Sequence, residues 1–194
     1  MASTSPNDPG PAGVRLRILP SDGLTPAEID ATRELMRVAF WDEVEDERFS
    51  DDDWAHALGG VHVVLDLDGE ILSHAAVVER ELHVAGRSLR TGYVEAVATA
   101  PDRQGQGFGT LVMTDVNAII RAEFELGALG TARHGFYERL GWLPWTGPTF
   151  VRAPDGMKRT PDEDGYILVL ATSTSPPLDL TAPISCEWRP GDVW

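Results

Sequence analysis

Apolar and charged residues alternate from Val14 to Leu19 (V-R-L-R-I-L), the two-residue period of a half-buried strand, and Pro20 ends the run. Thr25, Pro26 and Glu28 then supply an N-cap, a first-turn proline and a capping-box acid. The helix that follows is expected to bury Ile29, Leu35, Met36, Ala39 and Phe40. Ser50 and Asp53 form a second capping box ahead of Trp54, on a short helix stopped by Gly59-Gly60. V-H-V-V-L-D-L and I-L-S-H-A-A-V-V flank Asp68-Gly69, a strong hairpin signal. A turn at Ala85-Gly86 leads into L-R-T-G-Y-V-E-A-V-A-T, which Pro101 ends, so three consecutive strands run antiparallel. A helix is predicted from about Phe108 to Leu126, with Phe108, Val112, Val116, Ile119 and Ile120 as its buried stripe. A short strand at L-G-A-L follows, then a short helix with Phe136, Tyr137 and Leu140, stopped by Gly141. Two strands, near Thr149–Arg152 and Tyr166–Leu170, are separated by the acidic turn T-P-D-E-D-G. Strands and helices interleave without internal repeats, which is the α/β (α+β) class.

Composition narrows the function. At 194 residues the chain fits one domain, expected over 14–194, behind a Pro-, Gly- and Ser-rich tail, 1–13, expected to be disordered. The formal net charge of −15 argues against nucleic acid and favours cationic partners, which an acidic cleft would concentrate. No apolar run approaches the roughly 20 residues of a membrane span, and the first ten residues lack the basic and apolar regions of a secretory signal. A single cysteine, Cys186, cannot form an intrachain disulfide and fits a reducing, cytoplasmic setting. Its neighbours in I-S-C-E-W include no base, so it is read as structural. The five histidines show no ligand spacing, and no metal is expected. The acidic stretch from Asp42 to Asp53 is either a solvated loop or a mobile lip beside a cation site.

The strongest chemical signal is Q-G-Q-G-F-G, Gln104 to Gly109, between a strand and a long helix. Glycines there let backbone N–H groups face an anion, and the helix N-terminus adds about half a positive charge. The Gly-Lys-Ser/Thr ending of a P-loop is absent, and the glycine spacing is not that of a dinucleotide fingerprint. Taken alone, the loop is either a pyrophosphate cradle or a flexible cap on a helix.

Gln104-x-x-Gly107-x-Gly109 resembles the acetyl-CoA pyrophosphate loop of the GNAT superfamily of N-acetyltransferases, and F-Y-E-R-L-G-W, Phe136 to Trp142, resembles a second segment of that fold. The resemblance implies the GNAT acyl-CoA N-acyltransferase fold, a mixed, mostly antiparallel sheet flanked by helices. A closer resemblance is to the aminoglycoside 2′-N-acetyltransferases. It is carried by D-W-A-H-A-L-G-G, G-Y-V-E-A-V-A, G-W-L-P-W-T-G-P-T, R-T-P-D-E-D-G and the terminal C-E-W-R-P-G-D-V-W.

What this implies is specific. Acetyl-CoA would be the co-substrate, held by Gln104, Gly105, Gln106, Gly107, Phe108 and Gly109 and by the backbone of Val97, Ala98 and Thr99. Glu95 would be the base, acting through water, and Tyr137 the acid that protonates the departing thiolate. Strand alternation places Tyr93, Glu95 and Val97 on one face. A polycationic aminoglycoside would be ringed by Asp53, Glu95, Ala96, Asp162, Glu163, Asp192 and Trp194, the last through its carboxylate. Each carboxylate also has a plainer reading: Asp53 as a helix cap, Asp162 and Glu163 in a surface turn, Asp192 in a tail, Glu95 as a strand residue in a salt bridge. Two departures from close relatives stand out. Gly130 and Thr131 replace a serine-rich start, and Arg48 stands where relatives can have an acid. Homodimers are common in the family, but no self-complementary patch is recognisable in this sequence.

Two rivals remain open at this level. One is a GNAT acetyltransferase of another cationic amine, a polyamine or a cell-wall amino sugar. The other is a non-catalytic module that binds acyl-CoA or sequesters the drug.

Overall fold

A computed structural model describes residues 13–41 and 49–194. The expected tail, 1–13, therefore lies outside the described residues apart from Gly13, as does 42–48 of the acidic stretch. The chain order is β1 (Val14–Pro20), α1 (Pro26–Ala39), α2 (Asp51–His56), β2 (Val61–Leu67), β3 (Glu70–Val84) and β4 (Arg87–Thr99). It continues with α3 (Phe108–Glu123), β5 (Leu126–Gly130), α4 (His134–Glu138), β6 (Leu143–Pro144), β7 (Thr149–Ala153), β8 (Gly156–Arg159), β9 (Ile167–Ala171) and β10 (Ile184–Glu187). Both predicted capping boxes form: Thr25 with Glu28 on α1, and Ser50 with Asp53 on α2.

The strands make one sheet in the order β6-β9-β5-β4-β3-β10-β7-β8, with β2 also on β3 and β1 on β2. Most pairs are antiparallel; β4 with β5 and β10 with β7 are parallel. The long β3 is shared, pairing with β2 over Glu70–Val77 and with β10 at His83 and Val84. One face carries α3, whose Phe108, Val112, Val116 and Ile120 pack on Val63, Leu65, Val77 and Val94. The opposite face is divided. At one end α1 and α2 bury Leu35, Met36 and Trp54 against Val64, Ala76 and Ala98. At the other the C-terminal tail buries Ile184, Cys186 and Trp194 with Leu82, Tyr93 and Trp145. The G-W-L-P-W segment serves both faces: Trp142 Nε1 donates to Asn117 Oδ1 of α3 at 2.9 Å, and Trp145 Nε1 donates to the Ala182 carbonyl at 2.9 Å. Among the described residues no helix is long and apolar enough to cross a membrane.

The two-residue strand β6, paired with β9, was not expected, and the sequence reading needs correction at three further places. The helix expected to reach Leu126 ends at Glu123, because Glu125 N–H donates to the Arg90 carbonyl and Leu126 pairs with Thr91. The stretch from Thr149 to Leu170 contains an unpredicted hairpin strand, β8, exposed along its whole length. The proline-rich tail also contains a strand, β10, inserted between β3 and β7.

Candidate active site

The site begins where two parallel strands part. β4 and β5 are paired only from Thr91–Tyr93 to Leu126–Ala128. Beyond Tyr93, β4 carries one extra residue between the pairs Ala76–Glu95 and His74–Ala98. Ala96 takes that place with φ 50°, a left-handed conformation uncommon for alanine. A bulge of this kind bends its strand and redirects side chains. On the face opposite α3, Glu95 consequently meets Arg189 of the tail and Ala96 packs on the α1/α2 cluster, whereas Val97 packs with Val94 against α3. The expectation that Tyr93, Glu95 and Val97 share one face is therefore corrected: the bulge breaks the alternation after Glu95. A cleft of about 1110 Å³ opens between Val94–Thr99 of β4 and the segment Leu129–Arg133.

One end of the cleft is suited to an anion. Gly105 and Gly107 have φ of 75° and 89°, conformations in which an L side chain is strained. With the N-terminus of α3 they leave main-chain N–H groups free of side-chain cover. Gln104 ties the loop to its strand by donating Nε2–H to the Thr99 carbonyl at 3.2 Å. Val97, Ala98, Thr99, Gln104, Gly105, Gly107, Phe108 and Gly109 all line the cleft. Gln106 does not; its amide turns back to the Asp102 carbonyl at 3.2 Å, so the expectation that it contacts the co-substrate is not supported by its placement. Arg103, Arg133 and Arg139 line the same cleft and add positive charge. Sequence reading overlooked them, although Arg103 directly precedes the glycine loop and the other two flank Tyr137 at close range. Tyr137 is buried, with its ring edge-on to Phe136 and Trp142 at 4.9 and 6.2 Å. Burial pushes its hydroxyl up to about 12, so it is held protonated.

The other end is acidic. Asp53, Glu95, Asp162, Glu163 and Asp192 line it, together with Ala96 and Trp194. Asp53 keeps its role as a cap as well: Ser50 N–H and Oγ donate to its Oδ2 at 2.7 and 2.8 Å. Glu163 is pushed up to about 7, first by burial and then by the neighbouring charges of Asp192 and Asp162. Such crowding of carboxylates is relieved by a bound cation.

Glu95 is 15% exposed and forms an ion pair with Arg189, whose Nη1 donates to Oε1 at 2.7 Å. Among the described residues Oε2 accepts no hydrogen bond. Burial pushes the Glu95 carboxyl up, and Arg189 opposes this. Arg189 also donates Nε–H to the Asp192 carbonyl at 2.7 Å and Nη2–H to the Trp194 main-chain oxygen at 3.2 Å. Beneath it Arg80, almost fully buried, donates to Glu187 Oε1 at 2.8 Å and to the Val193 carbonyl at 2.9 Å. His56 Nε2 meets the Pro190 carbonyl at 2.8 Å, and Trp194 Nε1 donates to Thr160 Oγ1 at 3.1 Å. These bonds fold residues 187–194 into the cleft wall. Trp194 is only 4% exposed, as its apolar bulk demands, whereas Trp188 is 50% exposed. Cys186 is buried with its thiol pushed up to about 11, mainly by burial, and its Sγ faces the Val193 carbonyl at 3.2 Å. The role of Arg189 was missed because 94 residues separate it from Glu95 and no local motif marks it.

Comparison with known proteins agrees with this geometry. Residues 22–144 match the family model described as an acetyltransferase (GNAT) domain. The chain is 49% identical over 151 residues to an aminoglycoside 2′-N-acetyltransferase of Mycolicibacterium fortuitum, covering 75% of this chain and 77% of that one. The fold is similar to that of the GNAT N-acetyltransferase YhbS of Escherichia coli in complex with CoA, at TM-score 0.63 and 16% identity, covering 93% of each chain. It is also similar to a GNAT acetyltransferase of Brucella melitensis in complex with acetyl-CoA, at TM-score 0.58 and 20% identity, covering 84% of this chain and 92% of that one. The family-model match and the half-identical relative place the chain in the GNAT family of acetyl-CoA-dependent N-acetyltransferases.

Proposed function

We propose that the protein transfers the acetyl group of acetyl-CoA to the 2′-amino group of an aminoglycoside, by direct transfer within a ternary complex. The observation that carries this reading is the polarity of the cleft. Glycine N–H groups and arginines stand at one end, and Asp53, Glu95, Asp162, Glu163 and Asp192 at the other. An anionic co-substrate and a polycationic acceptor fit these two ends and meet at the bulge. The relative at 49% identity, named for this activity, supports the same assignment.

The chemistry follows from the residues. Loop 104–109 and Arg103 bind the pyrophosphate, with Gln104, Gly105, Gly107, Phe108 and Gly109 forming its wall. The main-chain N–H groups of Val97, Ala98 and Thr99 orient the thioester and stabilise charge on its carbonyl oxygen. Glu95 accepts the amine proton through a water at its free Oε2, which leaves the nitrogen lone pair to attack the thioester carbon. The new C–N bond forms and the C–S bond breaks as Tyr137 donates its proton to the departing sulfur, and the second proton of the now cationic nitrogen leaves through water and restores the Tyr137 hydroxyl. Asp53, Asp162, Glu163, Asp192 and the Ala96 and Trp194 main chain hold the acceptor's other polar groups. Cys186, buried and held as a thiol, is not a nucleophile for a ping-pong route.

The test is thiol release from acetyl-CoA with kanamycin B and kanamycin A, which differ only in carrying an amino or a hydroxyl group at the 2′ position. Rapid release with B and little with A is expected. Equal rates would move the reaction to another amine. A faster rate with spermidine than with kanamycin B would favour the polyamine reading.

A further inference from the structure

A chain of side chains that the reaction does not use runs from the surface to the bulge. Ser21 Oγ lies 2.9 Å from His62 Nε2, His62 Nδ1 lies 2.9 Å from His74 Nε2, and His74 Nδ1 lies 2.8 Å from the Ala96 carbonyl oxygen. Both imidazoles are fully buried. Trp54 packs on the two rings at centroid distances of 5.8 and 6.1 Å, which ties helix α2 and its Asp53 to the same cluster.

The direction of the chain is fixed by its inner end. A carbonyl oxygen can only accept, so His74 must carry its proton on Nδ1. Burial holds His62 down to about 4 and His74 to about 3, so both rings are neutral at ordinary pH. A neutral His74 with Nδ1–H has an accepting Nε2, so His62 must also carry its proton on Nδ1. Ser21, whose hydroxyl also lies 3.2 Å from the Gly60 carbonyl, then gives its single proton to His62 Nε2. Because the last member is a carbonyl oxygen without an exchangeable proton, this chain cannot carry protons out of the cleft. What it can do is hold an atom in place.

We propose that His74, itself oriented by His62, is a positioning residue that fixes the β4 bulge by donating Nδ1–H to the Ala96 carbonyl. That carbonyl belongs to the extra residue of the bulge, which has φ 50° and no opposite partner in the β3–β4 register. Glu95 precedes it and Val97 follows it. One hydrogen bond therefore fixes both the carboxylate proposed as the base and the N–H groups proposed to orient the thioester. The proposal deepens the acetyl-transfer reading and rests on it for its kinetic consequence, but its proton placement can be tested without any substrate.

Two measurements test it. The first is a long-range 1H–15N spectrum of the full chain at pH 7, assigned with His62→Gln and His74→Gln. Both histidines are expected as Nδ1–H tautomers, the minority form of free imidazole side chains. Nε2–H on His74 would overturn the proposal whatever the activity. The second compares two buried amide replacements. His74→Asn places a donor near the Nδ1 position, and His74→Gln places one near Nε2. The Asn variant is expected to retain kcat within about threefold, and the Gln variant to lose about tenfold or more, with KM for the amine little changed in both. A Gln variant as fast as the Asn variant, or losses that merely follow thermal stability, would reduce His74 to a packing residue. If the tautomers are as expected and no amine is acetylated by the parent protein, the bulge contact stands and the acetyl-transfer reading fails.

Discussion

The two ends of the cleft are built by opposite strategies. The co-substrate end is mostly local: Val97 to Gly109 is one run of chain, a strand edge, a glycine loop and a helix start, and its working groups are chiefly main-chain N–H groups, with Arg133 and Arg139 added from beside Tyr137. The acceptor end is assembled from five places, α2, the β4 bulge, the 3-10 turn at Pro161–Glu163, and the tail at Arg189 and at Asp192–Trp194. Its working groups are mostly side chains; Arg189 holds Glu95, and Arg80 and Arg189 hold the tail through its carbonyls. A main-chain site is robust to most side-chain changes but depends on backbone conformation. A side-chain site is retuned by single substitutions. The contrast predicts that substitutions at the acceptor end change the rate and the amine preference while acetyl-CoA affinity stays near its parent value.

The largest effect is expected from Glu95→Gln. A positioned base contributes about 10²–10⁴-fold, and kcat should fall by that order, with the dissociation constant of acetyl-CoA unchanged in a direct binding measurement. If kcat falls less than tenfold, Glu95 is the salt-bridged strand residue of the plainer reading. Next in size is Arg189→Met. Arg189 holds the buried Glu95 carboxyl down, so its loss raises that carboxyl further. A carboxylate must be ionised to accept a proton, so the acid limb of the kcat–pH profile should move to higher pH by about one unit. The acceptor KM should rise too, since the Asp192 and Trp194 contacts are lost with it. A gain in kcat/KM would instead show that Arg189 competes with the acceptor's ammonium for Glu95.

The same contrast explains what could be read from sequence. The capping boxes at Thr25 and Ser50, the Asp68-Gly69 hairpin and the glycine loop are signals a few residues long, and all appear where the pattern placed them. The short strands β8 and β10 were not legible. β8 is wholly exposed, and so has no apolar alternation to betray it. β10 has four residues and owes its place to neighbours 35 and about 100 positions away. The bulge at Ala96 was hidden for a related reason: nothing in E-A-V-A distinguishes an inserted residue from a regular strand. The acidic lining residues were named only through family resemblance, and composition alone could not separate them from solvated loops. Arg189 escaped because a pairing over 94 residues is a property of the fold.

A smaller effect separates the acceptor end from a generic acidic surface. Glu163 is raised to about 7, so folding favours its protonated form. Its contribution to stability is fully present below the ordinary carboxylate range and is lost as pH rises through about 7, when a further negative charge appears beside Asp162 and Asp192. That new charge attracts the acceptor. KM for a polycationic amine should therefore fall between pH 6 and 8 by roughly fivefold, the equivalent of about 1 kcal/mol for one partly screened pair. Glu163→Gln should flatten this dependence relative to the parent at each pH, which cancels the titration of the amine itself. An unchanged slope would place Glu163 outside acceptor recognition.

An effect no larger than this is the sharpest check on the co-substrate end. Gln104 and Gln106 are two residues apart in one loop, and both are expected from the family resemblance to contact the co-substrate. In the fold they are unlike. Gln104 lines the cleft and ties the loop to the Thr99 carbonyl, beside the N–H groups that face the thioester. Gln106 turns away to the Asp102 carbonyl. Removal of a hydrogen bond of the Gln104 kind costs about 1 kcal/mol, so Gln104→Ala should weaken acetyl-CoA binding about fivefold. Gln106→Ala should leave it within twofold, and neither should alter the acceptor KM. Calorimetric titration of acetyl-CoA into both variants decides the matter. Equal weakening in the two would mean that the loop closes on the pyrophosphate by turning Gln106 inward, and that main-chain conformation alone does not set this end of the cleft.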